Sequence, residues 1–288
     1  MNRRQFIQRG ALFVPATFGI FVPRLIRAQV QRPYPLTSSK RSGAAACSAT
    51  TVDVLQRFEQ GTNGTTPSVA NLTDGTYGAA NGTWTRPGAA SAYKLDTSLD
   101  QSIPGLAISG GSGCGDATTK VIAQSLTTSV DDYPLFTFSS TKATLCIGFA
   151  FRVSTFSAQF DTYSMMRTDT GGGEFFSCAF EFNNNDLILF AHADADGAQI
   201  TGLLDDTWYW VVMKRDATTS ARLRVYSLPG LVQQGSESVA TLPATNTLCS
   251  AVRCGLSDPS GATASGVNVY WDDIAMRFAD IHPLLPTS

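Results

Sequence analysis

From Lys120 to Phe278 the chain is a succession of short apolar runs punctuated by turn residues. VIAQSL, PLFTFSS, ATLCIGFAFRV, TYSMMRT, EFFSCAFEF, DLILFAHAD, AQITGLL, DTWYWVVMKRD, ARLRVYS and VNVYWDDIAMRF each have the length and the aromatic or β-branched content of a strand. None repeats its apolar residues at the 3.6-residue helical period. No βαβ alternation is present, which excludes a parallel-sheet fold. About a dozen strands joined by turns predict an all-β chain, solved most simply as two packed antiparallel sheets.

Composition agrees. Of 23 acidic residues only four are Glu (Glu59, Glu174, Glu181, Glu237), and charged residues make up 15% of the chain. Asp and Thr favour turns and strands, whereas Glu favours helices. The low charge also excludes a long helical bundle and a disordered chain. In ATLCIGFAFRV, Leu145, Ile147, Phe149 and Phe151 share one face. Cys146, Gly148 and Ala150 share the other, and their small size predicts that a further layer packs closely there. Residues 61–115 are dense in Gly, Thr, Asn and Ser, and read as long loops with a few short strands. Asn63, Asn71 and Asn81 each open an N-x-T triplet that marks an exposed turn.

The first 28 residues read as an address. Arg3-Arg4 is followed by an apolar stretch from Ala11 to Pro23, then by Arg24, Arg27 and the small residue Ala28. This order resembles a twin-arginine export signal. The apolar stretch is short and holds two prolines, so no permanent membrane span is expected. Residues 29–50 read as a flexible leader, and residues 51–288 as the β domain, beginning with VDVLQRFE. The chain is expected to be exported to the periplasm, the cell surface or the medium of a bacterium. Removing a segment with five arginines and no acids takes the formal net charge from −2 to −7. A chain so acidic is not expected to bind nucleic acid.

Export also bears on Cys47, Cys114, Cys146, Cys178, Cys249 and Cys254. In an oxidising compartment some of them are expected to pair. Cys249 and Cys254 could close a small loop. Cys146 and Cys178 could be cross-strand partners or two buried thiols. No CxxC pair exists and only His192 and His282 supply imidazole, so a structural zinc site is not expected.

Asp206–Asp216 (DTWYWVVMKRD) followed by Arg222–Tyr226 (RLRVY) resembles the laminin-G/concanavalin-A-like jelly-roll superfamily, with its W-hydrophobic-x-V strand, turn, and strand ending near a Tyr. Ala143–Arg152 resembles its strand of alternating apolar and small residues. Val269–Ile274 (VYWDDI) resembles its closing strand. The resemblance spans about residues 51–280. It implies a curved two-sheet antiparallel jelly-roll sandwich that handles glycans and often holds structural calcium. It also implies that Trp208 is a core residue. Fold alone does not separate binding modules from enzymes.

Glycoside hydrolases of this superfamily often carry E-x-D-x-x-E on one strand, and that pattern is absent. Glu174 and Glu181 would face opposite sides of a regular strand, unless a bulge intervened. For a lyase, His192 could be joined by Tyr133, Tyr163, Tyr209, Arg152 and Arg167. For calcium, Glu59 at the end of the first strand and Asp272 in the last would converge if those strands pair, as they commonly do in jelly rolls. For sugar stacking, Trp84 and Tyr93 in the loop-rich third, with His192, are the candidate ligand contacts. The leading expectation is an exported, noncatalytic carbohydrate-binding protein with a structural calcium ion. A polysaccharide lyase or glycoside hydrolase, or an adhesive surface protein, are the alternatives.

Overall fold

Apolar runs of strand length build the centre of the molecule, and strands that alternate apolar and polar side chains flank it. The computed structural model describes residues 52–58, 60–74, 76–85, 93–97, 120–125, 133–155, 161–170, 173–183, 186–191, 197–215, 220–228, 230–242, 248–261 and 267–279. The expected signal and leader, residues 1–28 and 29–50, lie outside them. In chain order the strands are β1 (Val54–Gln56), β2 (Thr76–Tyr77), β3 (Gly82–Thr85), β4 (Tyr93–Asp96), β5 (Val121–Ser125), β6 (Leu135–Lys142), β7 (Leu145–Val153) and β8 (Asp161–Thr170). They continue with β9 (Gly173–Asn183), β10 (Asp186–Ala191), β11 (Tyr209–Arg215), β12 (Ser220–Ser227), β13 (Val232–Thr241), β14 (Cys249–Arg253), β15 (Leu256–Gly261) and β16 (Asn268–Arg277). One short helix, α1 (Val69–Asp74), lies between β1 and β2.

All pairings between these strands are antiparallel, and they form two sheets. The first has the order β13-β12-β11-β7-β16-β1-β2, with β5 also on β16 and β4 on β5. The second has the order β10-β9-β8-β14-β6-β3, with β15 also on β8. This is the two-sheet sandwich that the strand pattern predicts.

The inner faces fill one core. Leu145, Ile147, Phe149, Phe151 and Val153 of β7 all point into it, as do Tyr209, Val211 and Met213 of β11. Trp271 packs its ring 5.9 Å from Phe149 and 5.4 Å from Phe151. From the second sheet, Trp84, Phe136 and Phe138 stack in turn at 4.9 and 5.6 Å, and Phe278 closes the series at 5.3 Å. Fully burying one such aromatic contributes about 1.5–3 kcal/mol. Arg215, buried at the end of β11, donates from Nη1 to the Phe175 carbonyl at 2.6 Å and so ties the two sheets together.

The other face of β7 behaves as its small residues predict. Cys146, Ala150, Trp210, Val212 and Ala275 form a second buried cluster on the outer side of the first sheet. Trp210 belongs to that cluster and Trp208 packs against it, while Tyr209 faces the main core. The Leu204 N–H donates to the Tyr209 hydroxyl at 2.6 Å.

Both sheets break their central strand at residues with positive φ. In the first, β16 slips register against β7 between Asp272 and Ala275, and Asp273 has φ 47°. The half before the slip pairs with β5 and the half after it with β1. In the second, β14 and β15 follow one another along β8 and bend at Gly255, φ 130°, whose carbonyl accepts the N–H of Met166, φ 50°. Thr168 is buried beside the bulge. Its Oγ1 donates to the Phe176 carbonyl at 2.6 Å and accepts the Phe176 N–H at 2.8 Å.

Two expectations change. AQITGLL forms no strand: Ile200 makes a single bridge to Leu189, and Gly202 at φ 75° turns the chain out of extended geometry. None of the described cysteines is in a disulfide. Cys146 lies in the first sheet and Cys178 in the second, so they are not cross-strand partners. Cys249 donates its thiol to the Ala251 carbonyl at 3.3 Å, and Cys254 lies near the Val252 carbonyl at 3.9 Å. Burial pushes the Cys249 thiol up to about 12 and raises those of Cys178 and Cys254 as well. Cys47 and Cys114 lie outside the described residues.

Candidate functional site

The second sheet turns a polar row outward. In β3 the sequence Thr83-Trp84-Thr85 sends the indole inward and leaves both threonines exposed. In β6 Thr137 is exposed between buried Phe136 and Phe138. Cross-strand partners share a face. The register Thr83↔Thr137, Thr137↔Ala251 and Ala251↔Asp169 therefore draws one line across four strands. A parallel line runs Thr85↔Leu135↔Arg253.

Arg253 joins the two lines. Its Nε donates to Asp169 Oδ2 at 2.7 Å, with side-chain exposures of 20% and 18%. Its guanidinium lies 5.0 Å from the centre of the Tyr133 ring. The segment carrying that ring is anchored where the Cys254 N–H donates to the Pro134 carbonyl at 2.8 Å. The Ser250 hydroxyl donates to the Asp169 main-chain carbonyl at 3.0 Å. The result is a held, half-buried donor–acceptor pair in a field of exposed hydroxyls. The chemistry of such a surface is hydrogen bonding, with hydroxyls from the threonines and a charged pair between Arg253 and Asp169. The spacing of strand partners, about 4.8 Å, sets the step between successive contacts.

The stacking residues expected from sequence lie elsewhere. Trp84 is 1% exposed, packs on Phe136 and donates from Nε1 to Thr76 Oγ1 at 2.8 Å. Tyr93 is also 1% exposed, within the main core. Neither ring has a free face for a sugar, because both alternate inward on short strands rather than riding on loops. His192 lies outside the described residues. Asp169 and Arg253 were missed by the sequence reading, since Asp-Thr and Arg-Cys in strands carry no motif. Their only signal is that each follows an inward-facing residue, Thr168 and Val252.

The expected lyase set does not share one face. Tyr209 points into the main core, and its hydroxyl is raised by burial, with the Leu204 N–H and Thr207 opposing and Asp205 adding. Arg152 lies on the outer side of the first sheet, bonded to Asp206 at 2.9 Å and 5.8 Å from the Tyr270 ring. Burial raises the Tyr270 hydroxyl as well, and Asp96 adds to the effect against Arg152. Tyr133 is buried, 8% exposed, just before β6, with Arg253 of the second sheet over its ring. The side chains of Tyr163, Arg167 and Glu174 lie outside what the structure describes. The backbone register sets Glu174 opposite Asp169 and Glu181 opposite Thr162. Seven residues of strand hold them about 20 Å apart, well beyond the roughly 5–10 Å of a glycosidase pair.

The first and last strands do pair, Val54↔Met276 to Gln56↔Ile274, as the calcium reading requires. Asp272 sits beside this seam, fully buried, with Oδ1 accepting the Asp273 N–H at 2.8 Å. The cation next to Asp273 is Arg57, with Nε 3.5 Å from Oδ1. Glu59 lies outside the described residues. Among the described residues no three His, Cys, Asp or Glu side chains come together, and Ca²⁺ takes six to eight oxygens. The described residues alone do not make up a calcium shell.

No family model and no curated protein matches the chain. Solved structures resemble it at low identity. The alginate lyase Aly36B is 11% identical with a TM-score of 0.45, covering 79% of this chain and 97% of its own. The catalytic domain of a glycoside hydrolase family 131 protein from Coprinopsis cinerea is 11% identical with a TM-score of 0.42, covering 70% and 84%. The endo-β-1,4-glucuronan lyase of Trichoderma reesei is 13% identical with a TM-score of 0.36, covering 69% and 96%. No helix among the described residues is long and apolar enough to cross a membrane.

Proposed function

We propose that the chain is an exported polysaccharide-binding protein of the laminin-G/concanavalin-A-like kind, and that it holds its ligand on the outer face of the second sheet. The observation that carries this reading is the Arg253–Asp169 pair, 2.7 Å apart and backed by Tyr133, set in a cross-strand row with Thr83 and Thr137. Sugars present closely spaced hydroxyls that accept from a guanidinium and donate to a carboxylate at once. Charge-assisted bonds of this type are about twice as strong as neutral ones. The flanking threonines add hydroxyl contacts at the strand step. The arginine-arginine signal supports export.

The test is pull-down of the protein on a panel of insoluble polysaccharides, with product release followed in parallel. The expected result is retention on at least one glycan without release of reducing ends or unsaturated products. Arg253→Gln should weaken that retention at least about tenfold. Product release would assign an enzyme instead. Failure to bind any glycan would leave the adhesive reading.

A further inference from the structure

One end of the first sheet's outer face departs from its buried middle. Arg152 in β7 and Tyr270 in β16 are register partners, and the register Tyr209↔Phe151 sets Trp208, one residue before β11, beside Arg152. Arg152 and Trp208 share the parity of Ala150 and Trp210, so both side chains lie on the outer side. Trp84, Trp210 and Trp271 are 1% exposed or less, whereas Trp208 is half-buried. Of the four tryptophans in the chain, Trp208 is the one that solvent reaches.

The loop leading into Trp208 is held by hydrogen bonds at every step. The Leu204 N–H donates to the Tyr209 hydroxyl, the Asp206 N–H donates to the Val153 carbonyl at 2.8 Å, and the Thr207 hydroxyl donates to the Asp205 carbonyl at 3.0 Å. The Trp208 carbonyl accepts the Leu228 N–H at 3.0 Å. These bonds fix Asp206 at φ 51° with its side chain 63% exposed, between exposed Leu204 and Asp205 on one side and Trp208 on the other. Arg152 Nη2 donates to Asp206 Oδ1 at 2.9 Å, and among the described residues this is the only side-chain hydrogen bond that Asp206 makes. Its second oxygen, Oδ2, is therefore an acceptor left to solvent. Behind the pair, the Arg152 guanidinium rests 5.8 Å from the centre of the buried Tyr270 ring.

We infer that Trp208 and Asp206, with Arg152 behind them, form a second glycan site, one that takes a neutral pyranose. A pyranose has an apolar C–H face that packs on an indole, and edge hydroxyls that donate to a carboxylate. Small-molecule sites combine an apolar wall with a few fixed polar groups in this way, and a bond to an ionised acceptor is the stronger kind. Asp205 and Asp206 lie side by side in the loop, and their charge disfavours a carboxylated sugar. The site lies on the other sheet from the Arg253–Asp169 face, on the opposite side of the sandwich, and shares no residue with it. It does not rest on that face being correct. With both sites, one molecule holds two glycan strands, and binding of the second is strengthened by effective concentration.

Burial of the other three indoles makes tryptophan fluorescence a reporter of Trp208. The test is quenching of the full chain by caesium ion, a cation that the neighbouring acids do not repel, with and without sugar probes. The probes are cellohexaose, mannohexaose, maltohexaose and hexagalacturonate, each at about 10 mM, enough to fill a site of millimolar Kd. At least one neutral hexaose should protect the fluorescence, and hexagalacturonate should not. Asp206→Asn should weaken that protection at least about tenfold in apparent affinity at an unchanged melting temperature, since Asn also tolerates a positive φ. Arg152→Gln, which keeps the Asp206 N–H bond to Val153, should weaken it too. Arg253→Gln should leave it intact, whatever becomes of retention on insoluble polysaccharide. Protection by none of the neutral probes, equal protection by hexagalacturonate, or protection unchanged in folded Asp206→Asn and Arg152→Gln would each overturn the inference. Loss of protection in folded Arg253→Gln would place the sugar on the second sheet and overturn it as well.

Discussion

The outer faces of the two sheets use the same β alternation for opposite ends. On the first sheet the middle rows are Trp210, Ala150, Val212 and Ala275, buried as completely as the main core. On the second sheet the corresponding outward positions are Thr83, Thr85, Thr137, Asp169 and Arg253, half-buried or exposed. A sheet with both faces buried is a structural layer, and mutation there is felt as lost packing. A sheet with one polar face keeps its energy on the inner side and leaves the outer side available for recognition. Charge on that face lies at its ends, with Arg222, Lys214 and Arg277 at one and Arg152 at the other, and enters the middle rows at Arg224, the partner of Val212, and at buried Asp272, the partner of Ala150.

This contrast can be broken by mutation. Trp210→Ala should destabilise the protein by about 3–5 kcal/mol in urea unfolding, as a core aromatic does. A cost under 1 kcal/mol would remove the first sheet's claim to a second core. The buried thiols give a pH signature. Their folded pKa values lie above the unfolded value of 9.0, so their contribution is complete below that pH and is lost as pH rises toward about 12 for Cys249. Each pH unit in that window should remove up to about 1.4 kcal/mol per thiol, and Cys249→Ala should flatten the slope. Arg253→Gln should cost only about 1 kcal/mol, because the pair is partly solvated, while glycan retention falls. Thr137→Val should change stability by no more than about 0.5 kcal/mol, read as an unchanged melting temperature, yet weaken binding. Chelation of divalent ions should move the melting temperature least, since Arg57 already stands beside Asp273. A drop of several degrees would instead require a calcium shell completed by residues such as Glu59.

The long strands were legible because hydrophobic periodicity is a local signal. The alternation in Leu145–Val153 and the parity of Trp208, Tyr209 and Trp210 could be read directly, and they pointed to the packing on both sides of the first sheet. Strands β13 and β15 could not be read in this way. VQQGSESVAT is a polar run broken by Gly235, φ 63°, and LSDPSG contains Pro259; both pair through register with a neighbour rather than through their own apolar pattern. The candidate site was hidden for a related reason. Asp169 and Arg253 are 84 residues apart and meet only because β14 lies against β8. Trp84 misled in the other direction: a Gly- and Thr-rich neighbourhood suggested a loop, but two flanking exposed threonines were the mark of a strand that turns its indole inward.

The pairing of β1 with β16 also has a kinetic consequence. Val54 meets Met276 across almost the whole folded chain, whereas β11–β12–β13 and β8–β9–β10 join neighbours in sequence. Hairpins of the second kind close early, and long-range pairing is slow because loop entropy must be overcome before any contact forms. On the ribosome, β1, β5 and one edge of β7 must wait for the final strand to be synthesised. A chain stopped before Asn268 would retain most of its residues but would present those unpaired edges to its neighbours, so its fate is aggregation rather than a smaller folded protein.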